Sequence, residues 1–176
     1  MLTDYVVIDL EMTGLNAKTD RILEAGAARV RGNVVTATFS EIINPKRELS
    51  EKVISLTGIT NEMAVQGKEM DATLMAFLDF IGEDILVGQN VIFDYSFLKQ
   101  WAVNHKRTFE RNAVDTLKLA RKFLPQEQKK DLASLCSYFG IERVHAHRAL
   151  DDVMETQQIF EQLQKMYAVS YTHLTL

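Results

Sequence analysis

Apolar residues recur along the chain in two rhythms, one of two residues and one of three to four, and the switches between them predict its elements. Residues 6–15 (V-V-I-D-L-E-M-T-G-L) read as a strand that ends at Thr13-Gly14. Two more strands are predicted over 21–31 and 34–43, joined at Gly32-Asn33, a pair suited to a hairpin turn. The sheet therefore starts antiparallel. Asn44-Pro45 stops the third strand, and 50–56 is a short helix capped by Ser50 and ended near Gly58. Met70, Leu74, Phe77, Leu78 and Ile81 fall at helical spacing over 70–81, closed by Gly82. A short strand over 85–87 then runs through Gly88-Gln89-Asn90 into a helix over 94–105, and a strand over 112–115 leads into a helix over 116–123 that Pro125 ends. The helix over 132–139 stops at Gly140, a loop carries His145 and His147, and 149–167 is the longest helical pattern. Three meandering strands followed by strand-helix units predict an α/β domain, a mixed sheet flanked by helices.

Length changes that picture little. At 176 residues the chain reads as one domain, spanning 1–167. Ser170, Tyr171, Thr172 and His173 break the helical pattern, so 168–176 read as a C-terminal tail. The single cysteine, Cys136, lies on an apolar helix face and reads as a small core residue in a reducing compartment. No apolar run approaches the roughly 20 residues of a membrane span, and the N-terminus lacks the basic start of a signal peptide. A cytoplasmic protein is expected. The formal charge of −4 argues against a broad basic surface for nucleic acid, although four acids held by metal would leave the rest formally neutral.

Chemistry enters with two acids inside the first strand. Strand side chains alternate, so Val7, Asp9 and Glu11 share one face and Val6, Ile8 and Leu10 the other. Two neighbouring carboxylates in an apolar strand require a cation between them, a proton, or exposure at a sheet edge. A divalent metal fits that need. Gly14, free to take a positive φ, ends the strand and brings bare backbone beside the acids. Asp94 heads the apolar face of its helix, where by itself it would serve as a cap, and His147 by itself reads as a surface histidine. On the last helix, Asp152 shares its face with Ala149, Thr156, Ile159, Phe160 and Leu163, whereas Asp151 falls with Glu155, Gln158 and Gln162 on a face that reads as solvated.

Taken together, D-x-E at Asp9 and Glu11, G-Q-N-V-I-F-D-Y-S-F-L from Gly88, and H-R-A-L-D-D from His147 resemble the DEDD exonucleases, and within them the histidine-bearing branch. That branch includes the proofreading epsilon subunits and proofreading domains of bacterial replicative polymerases. L-T-G-I-T from Leu56 and D-T-L-K-L-A-R from Asp115 resemble the polymerase-associated members. The first motif, D-L-E-M-T-G-L, is instead similar to that of oligoribonucleases. Met12 stands where epsilon subunits usually have threonine, and Gln89 where they usually have histidine.

The resemblance implies a ribonuclease H-like fold and 3′-to-5′ exonuclease activity with two divalent metal ions, magnesium or manganese as its substitute. Asp9 would bridge the metals, Glu11 and Asp152 complete one site, Asp94 act on the other, and His147 be the general base. The backbone of Met12, Thr13 and Gly14 would meet the terminal sugar, Leu15 and Phe93 pack on the last bases, and Asn90 and Leu56 line the strand's path. The implied partner is a nucleic acid 3′ end, single-stranded DNA favoured over RNA, with RNA trimming as the alternative and a non-catalytic binding module a more distant one. Association with a DNA polymerase and homodimerisation are both left open.

Overall fold

The computed structural model describes residues 1–143 and 147–172, with side chains described through residue 168. Strands β1 (Tyr5–Met12), β2 (Ile22–Arg31), β3 (Val34–Ile42), β4 (Leu86–Gly88) and β5 (Ala113–Asp115) form one sheet in the order β3-β2-β1-β4-β5. The first three are antiparallel, and β4 and β5 run parallel to β1. This is the mixed sheet that the pattern predicts, of the ribonuclease H-like kind that the resemblance implies. The β2–β3 hairpin turns where expected, with Gly32 and Asn33 both left-handed at φ 57° and 65°.

The helices are α1 (Glu51–Thr57), α2 (Asn61–Val65), α3 (Met70–Ile81), α4 (Ile92–Asn104), α5 (Thr116–Phe123), α6 (Leu132–Phe139) and α7 (Ala149–Thr172). Side-chain caps at Ser50 and Asp131 and left-handed glycines at Gly58 and Gly140 set the ends of α1 and α6. Three boundaries differ from the sequence reading. Helix α2, capped by Thr60, is only five residues long, too short to show a period. Helix α4 starts at Ile92 without a side-chain cap, so Asp94 lies inside its first turn and is not its cap. Helix α7 continues past Tyr167 to Thr172, because Ser, Tyr and Thr cost only about half a kcal/mol each in a helix and no Gly or Pro intervenes. His145 and residues 173–176 lie outside the described residues.

Layers of helix cover both faces of the sheet. Val6, Ile8 and Leu10 of β1 pack with Leu74, Phe77 and Ile81 of α3 and with Phe97, Leu98 and Trp101 of α4. On the other face, Tyr5 and Val7 of β1 and Ala28 and Val30 of β2 meet Val153 and Phe160 of α7. Helices α5 and α6 extend that layer through Ala120, Leu135 and Cys136, which is buried as the pattern predicts. The start of α7 lies directly on β2. A Cβ at Gly26 would stand 2.6 Å from the carbonyl carbon of Ala149, so only glycine lets the helix approach this closely. No helix among the described residues is long and apolar enough to cross a membrane.

Candidate active site

The site begins where β1 outruns its parallel neighbour. Strand β4 pairs with β1 only at Val6↔Leu86 and Val7↔Val87, then ends at Gly88. Beyond it, the Leu10 N–H turns to a side chain and donates to Asp94 Oδ1 at 2.9 Å. Asp94 is 5% exposed. Burial pushes its carboxyl above the usual range, and the Leu10 N–H partly offsets this. The opening lies at the carboxyl end of the parallel pair β1 and β4, where α/β sheets characteristically form a ligand crevice.

The first turn of α7 closes the other side. His147 precedes it in a left-handed conformation (φ 60°), with its backbone N–H near enough to Asp152 to favour the charged carboxylate. Asp152 lies on the buried stripe with Ala149, Thr156, Ile159, Phe160 and Leu163 and is 6% exposed, while Asp151 is half-buried. Glu155 corrects the sequence reading, which assigns it to a solvated face: it is 3% exposed. It lies only one turn from Asp152, and a loop cation, Arg143, draws it inward.

Ligand atoms of Glu11, His147 and Asp152 all lie within 4.8 Å of one another. Asp9 and Asp94 stand outside that tight group but within its field. Burial first, then Asp152, Glu24 and Asp94, push the Glu11 carboxyl up to about 8, against the pull of Arg148. Burial and the charges of Asp94, Glu11 and Asp152 hold the Asp9 carboxyl well above the usual range. Carboxylates this crowded are stabilised by a cation, and a set of carboxylate oxygens with one imidazole nitrogen and no thiolate suits a hard divalent ion better than a thiolate-seeking one. The residues present therefore fit a divalent metal.

Glu24, Arg143 and Arg148, to which the sequence reading gives no role, complete the site together with Glu155. Glu24, 1% exposed on β2, accepts from Arg148 Nη2 at 2.9 Å and from the Ala149 N–H at 3.1 Å. It thus caps α7 from across the sheet. Arg143 pairs with both Asp152 and Glu155. Signals for these residues exist in the sequence: Glu24 interrupts the apolar run R-I-L-E-A-G-A as Asp9 interrupts its own, and both arginines lie within four residues of His147.

All seven residues predicted to contact substrate (Met12, Thr13, Gly14, Leu15, Leu56, Asn90 and Phe93) line one cleft of about 550 Å³, with Asp9, Glu11 and Asp94 at its floor. Ser50, Lys52 and Gln89 join them. Gly14 does not use its freedom to take a positive φ. It lies close under the Asp20 carboxylate: a Cβ would stand 2.4 Å from Oδ2, so that side chain, which accepts the Asn16 N–H in the loop after β1, would have to shift. Asn90 is left-handed (φ 57°), and its N–H donates to Asp115, which also caps α5. Leu15 and Leu56 are exposed at the rim, while Phe93 packs on Phe97 with ring centroids 5.5 Å apart, so it is both wall and core.

Residues 6–160 match the family described as exonuclease (RNase_T). The chain belongs to this exonuclease family. It is 37% identical over 157 residues to the DNA polymerase III subunit epsilon of Aquifex aeolicus, covering 89% of this chain and 78% of that protein. It is 34% identical over 158 residues to the PolC-type DNA polymerase III of Clostridium perfringens, where it covers 90% of this chain but 11% of that protein. Among solved structures, the nuclease domain of 3′hExo, a DEDDh family member bound to rAMP, aligns with a TM-score of 0.77 at 19% identity over 93% of this chain and 92% of that one. That last likeness speaks to the fold. The resemblance seen in the motifs therefore stands, and the chain is a 3′-to-5′ exonuclease domain.

Proposed function

We propose that this exonuclease domain hydrolyses DNA from 3′ ends in the cytoplasm, as a proofreading or repair activity, using magnesium or manganese. The observation that carries the reading is the convergence of Glu11, His147 and Asp152 within 4.8 Å, with Glu11 also lining the open cleft beside Asp9 and Asp94. Asp9, Glu11 and Asp152 would hold the ions, with Asp94 serving the second of them. Two bound divalent cations supply Lewis acidity toward the phosphate and the leaving oxygen. The chain's own residues do the rest. His147, exposed and adjacent to the acids, takes the proton of the attacking water on its imidazole. Asp94 is locked by the Leu10 N–H, so its free oxygen faces a fixed direction. The backbone of Met12 to Gly14 meets the terminal sugar, Leu15 and Phe93 pack on the last bases, and Asn90 and Leu56 line the strand.

Apolar rim side chains suit a single strand, whose unstacked bases offer flat faces to pack on. Polymerase association is proposed on the likeness to an epsilon subunit. A second reading, RNA trimming, is favoured by Met12 and Gln89, the two departures from the epsilon pattern. Digesting end-labelled single-stranded DNA and RNA of equal length, with magnesium or with manganese, tests both. Faster shortening of DNA from its 3′ end is expected. Faster loss of RNA would select the second reading, and degradation of neither would overturn both.

A further inference from the structure

Arg143 lies between α6 and α7, and its guanidinium spans two acids of α7. Its Nη2 is 2.9 Å from Asp152 Oδ1, and its Nε is 2.8 Å from Glu155 Oε2. The acids are three residues apart, hence neighbours on one helix face, which lets a single guanidinium reach both. Glu155 Oε2 also receives the Cys136 thiol at 3.6 Å. Its other oxygen, Oε1, is buried with no hydrogen-bond partner. Leaving a buried carboxylate oxygen unsatisfied is costly, so Glu155 has room for one more donor than this arrangement provides. A guanidinium prefers to fork onto both oxygens of one carboxylate, and Glu155, already bonded to Arg143 through Oε2, has its Oε1 unpartnered.

We infer that Arg143 is a built-in competitor for Asp152: it neutralises this carboxylate when no metal is bound, and a divalent cation displaces it onto the two oxygens of Glu155. Arg143 is then a positioning residue that acts on the metal through Asp152, and Glu155 is its resting place. The inference depends on the proposed role of Asp152 as a metal ligand. Physically, it answers the problem of Asp152, which without metal would be a buried charge left uncompensated among other acids. The cost is affinity, since each incoming ion must displace the arginine.

Calorimetric titration with Mn²⁺, together with melting curves with and without Mn²⁺, tests this on the wild-type chain, Arg143→Met, Glu155→Gln and the double variant. Arg143→Met should melt lower with and without metal, because Glu155 loses its counter-charge in both states, yet bind Mn²⁺ about tenfold tighter, as expected for one charge-assisted contact no longer displaced, so that its melting loss is smaller with Mn²⁺ than without. Glu155→Gln should weaken Mn²⁺ binding, and weaken it less when Arg143 is already Met. A melting loss in Arg143→Met that is the same with and without Mn²⁺, and no tighter binding, would make Arg143 a plain structural tie and overturn the inference. If Arg143→Met fails to fold, Glu155→Gln decides alone, because unchanged or tighter binding there contradicts the resting place. No Mn²⁺ binding by the wild-type chain would instead overturn the reading of the site itself, and this inference with it.

Discussion

Glu11 and Glu24 stand directly opposite each other in the β1–β2 ladder and meet opposite fates. Both project from the same face of the sheet, where like charges facing each other are destabilising. Glu24 is wrapped by Arg148 and the Ala149 N–H and sealed from solvent. Glu11 is half-buried, makes no ion pair with any described side chain, and has its carboxyl pushed up to about 8. Burial alone therefore does not separate a structural acid from a functional one. The difference is whether the chain itself supplies the counter-charge. Where it does, the acid joins two elements; where it does not, the acid needs a counter-charge from outside, which the proposed function assigns to a metal.

The largest effect that sharpens this contrast concerns the unsupplied acids. Asp152→Asn should reduce metal-dependent digestion by about a hundredfold or more, as expected when a group stabilising transition-state charge is removed, while Asp151→Asn keeps most activity. A dead Asp151→Asn beside an active Asp152→Asn would break the assignment. Next comes the supplied acid. Glu24→Gln strips a buried pair of one partner, and denaturant unfolding should show a loss of about 3 kcal/mol, with Arg148 left uncompensated. Gly26→Ala tests the same joint sterically. Its Cβ would collide with the Ala149 backbone, so a loss of about 1–3 kcal/mol is expected, with reduced digestion as α7 shifts His147 and Asp152.

The smallest effect is in pH. Because the folded carboxyl of Glu11 is raised above its ordinary 4.5, the folded protein holds that proton more tightly than the unfolded chain does. Its contribution is complete below pH about 4.5 and is lost as pH rises through about 8. Asp9 and Asp94 are shifted in the same direction. Melting in the presence of a chelator should therefore rise as the pH falls across that window, and Glu11→Gln should flatten the slope. An unchanged slope in that variant would remove Glu11 from the cluster.

The sequence carries much of this wherever one rhythm lasts long enough to be read. Helices α3, α5 and α6 match their predicted spans because caps and closing glycines or prolines bracket a clear period. Asp9 and Glu11 are legible for the opposite reason, as charges that violate a strand's pattern. Glu24 violates its strand in the same way, but its meaning depends on Arg148, 124 residues later, which only the fold brings near. Glu155 is misread because helical phase assigns a face and cannot foresee that a loop arginine will bury its edge. Gly26 shows that a glycine can be required by a neighbour, here the Ala149 backbone, when its own backbone angles need nothing special.

The most direct measurement of the central claim is the melting shift produced by Mn²⁺ in Glu11→Gln and Glu24→Gln, side by side near neutral pH. Ligand that binds only the folded site raises the melting temperature by mass action. Glu24→Gln should melt below wild type and still rise with Mn²⁺, whereas Glu11→Gln should melt above wild type without metal and gain little when Mn²⁺ is added. A full wild-type rise in Glu11→Gln would contradict the account, because the acid that the chain leaves without a counter-charge would then not be the one that receives it from a metal.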